Sequence, residues 1–293
     1  MTERDPKEIL RRIRKIEIVT NRLVNEQLAG SYHSVFKGQG MDFDDVRQYQ
    51  AGDDVRQIDW NVSARTNTPF IKTYREEREL TVMLLVDVSA DGRFGTRTQL
   101  KADMAAEVGA LLAFSAIKNS DRVGLILFSD TVEHFVPPKK GKSHVLRVIR
   151  DILTFRPVGQ GKRIEAGVEY LGRVCRRKAV AFLLSDFYSD GWEPAVRIAR
   201  RRHDLVPVVV TDPLETELGA AGLVAFRDPK TDELLWRHTG GSFLKRFGNH
   251  ARKKQAARER MFRKMKLDFI NLRTGEEYTQ ALMKYFKIRA RRH

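Results

Sequence analysis

The chain has 293 residues, of which 42% are hydrophobic, so it can bury a sizeable core and wholesale disorder is excluded. Its single cysteine, Cys175, excludes an internal disulfide and favours a reducing cytoplasm. The net charge of +16 attracts nucleic acid, anionic lipid or an acidic protein without deciding among them. No apolar run reaches the roughly 18 residues that span a bilayer. The charged N-terminus lacks a signal-peptide core, so we expect a cytoplasmic protein, with the periphery of the inner membrane as the alternative location.

The first 78 residues predict a helix followed by a small β-rich element. Residues 5–29 carry isoleucines and leucines at helical spacing, with Asp5 and Pro6 at the start and Gly30 as the stop. Residues 38–75 are rich in glycine and aspartate, and alternating stretches such as 70–74 are typical of short strands. We therefore group residues 1–78 as an N-terminal helix and a β-rich Gly/Asp element.

From Thr81 onward, strands alternate with helices. Apolar runs predict strands at 81–86, 122–128, 132–136, 179–184 and 205–210, and amphipathic patterns predict helices at 100–118, 143–154, 163–177 and 193–202. Pro137 and Pro138 are expected to end the strand at 132–136, which we take as an edge strand. The alternation predicts a doubly wound α/β domain with a mainly parallel sheet over residues 79–215.

Residues 216–293 predict a C-terminal extension packed on the same unit. A hairpin is expected at 223–236, a long basic helix at 242–266, a strand at 268–272 and a final helix at 276–289. The basic helix is most simply a solvated face, and an acidic partner or anionic lipid is the next interpretation. Nucleic acid is disfavoured, because no helix-turn-helix, zinc-finger or RNP signature is present.

Acidic residues follow three of the predicted strands. Asp87 begins Asp87-Val-Ser89-Ala-Asp91, while Asp130 and Asp186 follow two later strands. Because ligands of open α/β sheets sit beyond the carboxyl ends of the strands, Asp87 and Ser89 are candidates for a binding site. Oxygen ligands of this kind suit Mg²⁺. The alternative is that the aspartates cap the following helices, which we favour for Asp130.

These elements together resemble a von Willebrand factor A domain. The upstream string Gly52-Asp-Asp-Val-Arg-Gln-Ile-Asp-Trp60 narrows the resemblance to the bacterial domain-of-unknown-function family number fifty-eight. The match runs from about residue 30 to the C-terminus and includes Asp212-Pro-Leu-Glu215. The resemblance implies a von Willebrand factor A-like fold and association with MoxR-type AAA+ ATPases.

The candidate site departs from the pattern that the resemblance implies. Von Willebrand factor A domains often hold a metal through Asp-x-Ser-x-Ser, a later threonine and a strand-end aspartate. Here Asp91 replaces the last serine, and Lys162 stands at the threonine position, or Arg163 if the loop alignment slips by one residue. Our hypothesis is that the Lys162 ammonium takes the place of the metal among Asp87, Asp91 and Asp186. The alternative is a retained Mg²⁺ site.

The retained metal site would use Asp87, Ser89, Asp91 and Asp186 as ligands. One ammonium against three carboxylates leaves the same net charge as two carboxylates alone, so charge does not decide between the lysine and a metal. The loss of oxygen ligands and the bulk of the lysine favour the ammonium, and no cofactor is expected.

The upstream signature motif has two interpretations. Aspartates and arginines alternate in it and can form charge-assisted hydrogen bonds, which would make it a scaffold. Alternatively, it is a recognition surface for a partner. The residues concerned are Asp53, Asp54, Arg56, Asp59, Trp60 and Arg65, together with Arg47.

No catalytic constellation accompanies these motifs. The seven histidines form no metal-spaced pair, and no Gly-x-Ser-x-Gly elbow occurs. We therefore expect a non-enzymatic adaptor that works with a MoxR-type AAA+ ATPase, and with unknown client proteins, in protein-complex assembly or maturation. The alternatives are Mg²⁺-dependent binding or metal-assisted hydrolysis at Asp87 and Asp186, and binding of anionic lipid or nucleic acid by the basic segments.

Overall fold

The computed structural model describes residues 6–23, 32, 35, 41–76, 79–95, 99–159, 161–228, 231 and 233–291. The chain divides into two compact units, Met1–Val35 with Thr81–His293, and Phe36–Leu80. Helix α1 (Pro6–Leu23) thus belongs with the α/β unit, whereas the sequence grouped it with the β-rich element. The predicted helix beyond residue 23 and its stop at Gly30 lie outside the described residues.

In its described residues, the smaller unit contains an antiparallel strand pair, a 3-10 turn (Val55–Gln57) and one short α-helix. Strand β1 (Met41–Gln48) pairs with β2 (Phe70–Glu76), and helix α2 (Trp60–Thr66) lies between them in the chain. Asp59 caps α2 by accepting hydrogen bonds from the backbone N–H groups of Asn61 and Val62. The β-rich character was anticipated from alternation at 70–74, but the helix was not.

A six-stranded sheet forms the centre of the larger unit. Its strands are β3 (Thr81–Asp87), β4 (Arg122–Phe128), β5 (Val132–Lys139), β6 (Val180–Ser185), β7 (Asp204–Thr211) and β10 (Ile270–Arg273). They lie in the order β10-β7-β6-β3-β4-β5, and all neighbours are parallel except β4 and β5. The predicted α/β fold with a mainly parallel sheet is confirmed.

Helices cover both faces of this sheet. They are α3 (Lys101–Lys118), α4 (Lys142–Thr154), α5 (Ile164–Val174), α6 (Glu193–Arg202), α7 (Gly241–Lys264) and α8 (Tyr278–Ala290). On one face Gly109 of α3 lies against Leu84 and Ile152. On the other, Val168 of α5 and Phe262 of α7 share a buried cluster with Phe128. The sheet is therefore doubly wound.

The sequence of the central strand β3 is explained by its burial on both faces of the sheet. Residues 82–86 are at most 2% exposed, so every side chain of the run is buried. Successive side chains point to opposite faces, and both faces are covered, which requires a continuous apolar run rather than alternation. Gly167 of α5 permits close packing, because a Cβ there would lie 2.6 Å from the Phe128 ring.

The predicted end of the edge strand was wrong. β5 continues through Pro137 and Pro138 to Lys139. Only one side of this strand pairs with β4, since β5 is the last strand of the sheet. The register shifts between Val123 and Leu125 of β4, which places a β-bulge at Pro137 and Pro138. Edge strands and bulges both tolerate proline, because the missing N–H donor is not needed there.

The C-terminal extension contains the predicted hairpin and helices. Strands β8 (Gly222–Arg227) and β9 (Leu234–Thr239) pair antiparallel, and α7 follows directly. Phe226 of the hairpin and Phe243 of α7 have ring centroids 6.5 Å apart. Within the parts of the chain that the structure describes, none of the helices has the length and apolarity needed to cross a bilayer.

Candidate functional site

Acidic side chains converge at the carboxyl ends of three neighbouring strands. Asp87 is the last residue of β3, Asp186 directly follows β6, and Glu215 lies in the turn after β7. Because these strands are parallel and adjacent, their carboxyl ends meet at one edge of the sheet. We call this cluster, with the lysines that join it, the strand-end cluster. It consists of Asp87, Asp91, Lys101, Lys162, Asp186 and Glu215.

The Lys162 ammonium lies among the three aspartates of the strand-end cluster. Its Nζ is 2.6 Å from Asp186 Oδ1, 2.8 Å from Asp91 Oδ2 and 3.8 Å from Asp87 Oδ2. The lysine side chain is only 2% exposed. The structure thus brings Lys162, and not Arg163, into contact with these carboxylates, while Arg163 pairs with Glu165 on the surface.

A second buried lysine completes the cluster. Lys101, the first residue of α3, places its Nζ 2.8 Å from Asp186 Oδ2 and 2.6 Å from Glu215 Oε1. Asp186 therefore carries one lysine on each carboxylate oxygen. Asp87 is held separately, because the Ser185 hydroxyl donates to its Oδ2 at 2.7 Å and the Ser89 backbone N–H donates to its Oδ1 at 2.9 Å.

These contacts shift the pKa values of the buried groups. Burial raises the pKa of Asp87, and the nearby Lys162 offsets this only in part. Burial also acts to raise the pKa of Asp186, but Lys162 and Lys101 outweigh it and hold that pKa at about 2. Burial acts to lower the pKa of each lysine, yet the surrounding carboxylates reverse the effect and raise it. Asp186 and both lysines are therefore charged at neutral pH.

The geometry of the strand-end cluster does not fit a bound divalent metal. One observation favours a metal ion: the buried Ser89 hydroxyl has no hydrogen-bond partner among the described atoms, so its oxygen is free to act as a ligand. However, the Lys162 ammonium already occupies the point on which Asp91 and Asp186 converge. Among the described residues, no group of three or more His, Cys, Asp or Glu side chains is arranged to hold a metal ion. With Lys162 in place, a cation of the chain itself stands where a metal ion would be needed and offsets part of the charge of these carboxylates.

A fixed loop directs Lys162 into the cluster. The Gly159 N–H donates to Glu133 Oε1 at 2.7 Å, and the Arg163 N–H donates to the Ser129 carbonyl at 2.8 Å. Ser129 directly follows β4 and Glu133 lies at the start of β5, so the loop between α4 and α5 is fastened to this end of the sheet. This attachment places Lys162 beside the ends of β3 and β6.

Asp130, in the turn after β4, does not have the helix-capping role that was expected of it. Asp130 was interpreted as a helix cap, but β5 follows it, not a helix. Its Oδ1 accepts a hydrogen bond from the Ser129 hydroxyl at 2.9 Å. A Cβ at position 159 would lie 2.0 Å from the same oxygen, so only glycine allows the loop to approach this closely.

Sequence reasoning missed three members of this region, namely Lys101, Glu215 and Arg258. Arg258 was counted in the solvated basic face of α7, but it is 7% exposed and donates to the Asp186 carbonyl oxygen at 2.7 Å. Its guanidinium carbon also lies 5.6 Å from the centroid of the Tyr188 ring. The signal that could have found it is spacing, because Ala251, Arg258 and Phe262 form one buried stripe along α7.

The signature motif, in the smaller unit, is mostly built from local hydrogen bonds. Arg47 and Asp53 form a bidentate ion pair at 2.7 and 2.8 Å, and the Asp54 side chain accepts from the Arg56 N–H at 3.0 Å. Within the described residues, no ion pair joins Arg56 or Arg65 to an aspartate. These two arginines and Trp60, which is 68% exposed, lie at the surface.

The structure assigns Arg56 to an exposed surface and Asp59 to the scaffold of this motif, so their substitutions should affect the melting temperature differently. We expect Arg56→Ala to leave the melting temperature unchanged, because the exposed guanidinium stabilises nothing in the fold. Asp59→Ala should lower it, because the cap of α2 and the contact with Lys72 at 3.6 Å are lost. Differential scanning fluorimetry measures both, and a clear loss in Arg56→Ala would contradict the surface assignment.

The fold and the strand-end cluster together define an α/β protein in which two lysines of the chain pair with the carboxylates at the carboxyl ends of the central strands. The sequence profile "Protein of unknown function DUF58" matches residues 45–257, so the chain belongs to this family.

Two relatives match over different lengths of the chain. The uncharacterized protein Rv1480 of Mycobacterium tuberculosis is 28% identical over 290 residues, covering 98% of this chain and 91% of its own. The uncharacterized protein MAV169 of Mycobacterium avium is 25% identical over 159 residues, covering 53% of this chain and 94% of its own.

Solved structures show a similar arrangement at low sequence identity. BatB from Bacteroides thetaiotaomicron aligns with a TM-score of 0.46 and 11% identity, over 72% of this chain and 99% of its own. An aerotolerance-related membrane protein from Bacteroides fragilis aligns with a TM-score of 0.47 and 13% identity, over 73% and 100%. The von Willebrand factor A domain of SpRpn10 aligns with a TM-score of 0.38 and 11% identity, over 70% and 93%.

Proposed function

We propose that the protein is a non-enzymatic interaction protein that binds its partner at the strand-end cluster without a metal ion. The partner proposed is a MoxR-type AAA+ ATPase, which the resemblance of the sequence implies. In this function the protein couples the ATPase to client proteins in the cytoplasm, during the assembly or maturation of protein complexes.

The observation that carries the proposal is the exposed apolar rim of the cluster. Val158, four residues before Lys162, is 90% exposed, although its N–H is held by Glu133 Oε2 at 3.3 Å. Phe94, three residues after Asp91, is 41% exposed, and its ring centroid lies 5.8 Å from Lys101 Nζ. Exposed apolar side chains beside a buried cluster of paired charges are suited to contacts with another protein.

The chemistry of the cluster favours binding over catalysis. A general acid or base needs a pKa near the working pH, which the pKa of about 2 at Asp186 and the raised pKa of Lys162 do not provide. Burial raises the pKa of Asp87, but both of its carboxylate oxygens are engaged by the Ser185 hydroxyl and the Ser89 N–H. The cavity beside Asp87, Lys101 and Asp186 has a volume of about 20 Å³. Ligand pockets have roughly 300–1,000 Å³, so this cavity accommodates about one water molecule and not a substrate.

Substitution of the exposed valine tests the proposal. We expect Val158→Asp to weaken binding of the purified MoxR-type ATPase from the same organism about tenfold or more, because it places a charge in an apolar contact. Biolayer interferometry with the tagged full chain gives the Kd. Addition of EDTA in the absence of nucleotide should leave the wild-type Kd unchanged.

A matched control replaces another exposed apolar side chain, outside the strand-end cluster. Leu223 on β8 is 64% exposed, and Leu223→Asp should retain the wild-type Kd. Equal weakening by both substitutions, or no binding of the ATPase by the wild type, would refute the proposal. Loss of wild-type binding on chelation would show instead that a metal is required.

A further inference from the structure

A dense group of basic side chains lies at the amino ends of the parallel strands, at the end of the sheet opposite the strand-end cluster. It is formed where α5 and α6 end, just before β6 and β7 begin, and all its members are exposed. We call it the arginine patch. It consists of Arg173, Arg176, Arg177, Lys178, Arg197, Arg200, Arg201 and Arg202.

Hydrogen bonds hold the two halves of the arginine patch side by side. The Arg202 guanidinium donates to the carbonyl oxygen of Gly172 at 3.3 Å and to that of Arg176. The following residues are joined as well, because the Asp204 N–H donates to the Ala179 carbonyl at 2.8 Å. The end of α5 and the end of α6 therefore form one surface.

The charges of this surface are not neutralised by the chain. Residues 170–180 and 194–203 contain no aspartate or glutamate. Glu169 and Glu193 lie one helical turn before Arg173 and Arg197 on the same helices. Within the described residues, no ion pair involves a member of the arginine patch. The nearest acid in sequence, Asp204, is already paired with Arg289. Eight cations held this close together repel one another, and an anionic ligand would relieve that repulsion.

We propose that the arginine patch binds an acidic segment of a partner protein. Seven of its eight members are arginine, whose planar guanidinium binds a carboxylate through two parallel hydrogen bonds. The patch contains no aromatic side chain on which a nucleic-acid base could stack. In the described parts of the two segments, Ile198, at 70% exposed, is the one exposed large hydrophobic side chain, too little for insertion into a membrane.

The dimensions of the patch fit a short extended peptide. Packed helices such as α5 and α6 lie about 8–10 Å apart, and the side chains extend the patch to roughly 20 Å. An extended chain rises about 3.3 Å per residue, so about six residues cross the patch. Three or four acidic side chains within such a segment would each meet a guanidinium.

This inference goes beyond the function proposed for the strand-end cluster. The cluster lies at the carboxyl ends of the parallel strands, whereas the arginine patch lies at their amino ends. Two different partners, or two parts of one partner, can therefore bind at the same time. Substitutions in one place should leave binding at the other unchanged.

Charge reversal in the full chain tests the proposal. The variant combines Arg176→Glu, Arg177→Glu, Arg200→Glu and Arg201→Glu, and spares Arg202 because of its backbone contacts. The probe is a fluorescein-labelled peptide of alternating glutamate and serine, about 12 residues long, so that it exceeds the patch. We expect fluorescence anisotropy at low salt to show an affinity about tenfold or more lower than for the wild type.

A control with the same change in net charge distinguishes binding at the arginine patch from a general attraction of the peptide to the protein's positive charge. Lys245→Glu, Arg246→Glu, Lys253→Glu and Lys254→Glu reverse four exposed cations of α7, and this variant should bind within about twofold of the wild type. Circular dichroism checks folding, and a second patch variant with glutamine at the same four positions should also lose affinity. Equal loss in the α7 control would overturn the proposal, as would tighter binding of duplex DNA or of phosphatidylglycerol vesicles than of the peptide.

Discussion

Replacing Lys162 by alanine should lower the free energy of unfolding by about 3–5 kcal/mol, because three buried or half-buried carboxylates lose their shared cation. The vacated space is then bounded by oxygens of Asp87, Asp91 and Asp186, which suit Mg²⁺ or Mn²⁺. We therefore expect divalent cations to raise the melting temperature of Lys162→Ala, by the linkage of binding to stability. Thermal and urea unfolding with and without the ions measures both effects.

The neighbouring arginine is the control for this experiment. Arg163 is exposed and pairs only with Glu165, so Arg163→Ala should change the free energy of unfolding by no more than about 0.5 kcal/mol. Neither this variant nor the wild type should respond to Mg²⁺. A melting temperature of the wild type that rises with Mg²⁺ would show that a metal binds despite Lys162.

Replacing Asp186 by asparagine should have a comparable effect and a distinctive pH dependence. The side chain keeps its shape but loses the charge shared by Lys101 and Lys162, so we expect a loss of about 3 kcal/mol or more at neutral pH. The pKa of Asp186 is about 2 in the folded protein and about 4 in an unfolded chain, so folding favours its charged form. The stabilisation is present above about pH 4 and is lost as the pH falls through 2.

The difference in stability between wild type and Asp186→Asn should therefore narrow as the pH falls from about 4 to 2. Urea unfolding at several pH values, followed by fluorescence, measures it. Asp190→Asn, an exposed change in the same loop, should match the wild type throughout. A difference that stays constant across this range would mean that the charge of Asp186 does not contribute to stability.

The sheet and part of the cluster could be predicted because they depend on local pattern and on chain order. Buried parallel strands need continuous apolar runs, and residues that follow such strands must meet at one edge. Asp87, Asp91 and Asp186 were placed by that rule. Lys162 was placed by comparison with a metal-binding pattern, which showed a cation where an oxygen ligand was expected.

The remaining features depend on three-dimensional neighbours that chain order does not reveal. Lys101 looks like any residue at the start of a helix, and only the packing of α3 on the sheet turns its ammonium toward Asp186. Arg258 belongs to a basic stretch of sequence, yet its side chain lies under Tyr188. Pro137 and Pro138 were expected to end the edge strand, and only the assembled sheet shows the bulge against β4 that accommodates them.

The position of Lys162 has a consequence for how the protein would respond to its surroundings. A bound metal exchanges with the solution, so its occupancy varies with the supply of ions. An ammonium carried by the chain is present in every copy from synthesis onward, and chelators cannot remove it. It also offers no vacant coordination position to a partner's carboxylate. For the proposed binding of a partner, selectivity would then come from the shape and apolarity of the exposed side chains beside the cluster. Substitution of Val158 or Phe94 would change that selectivity while the charge beneath stays constant.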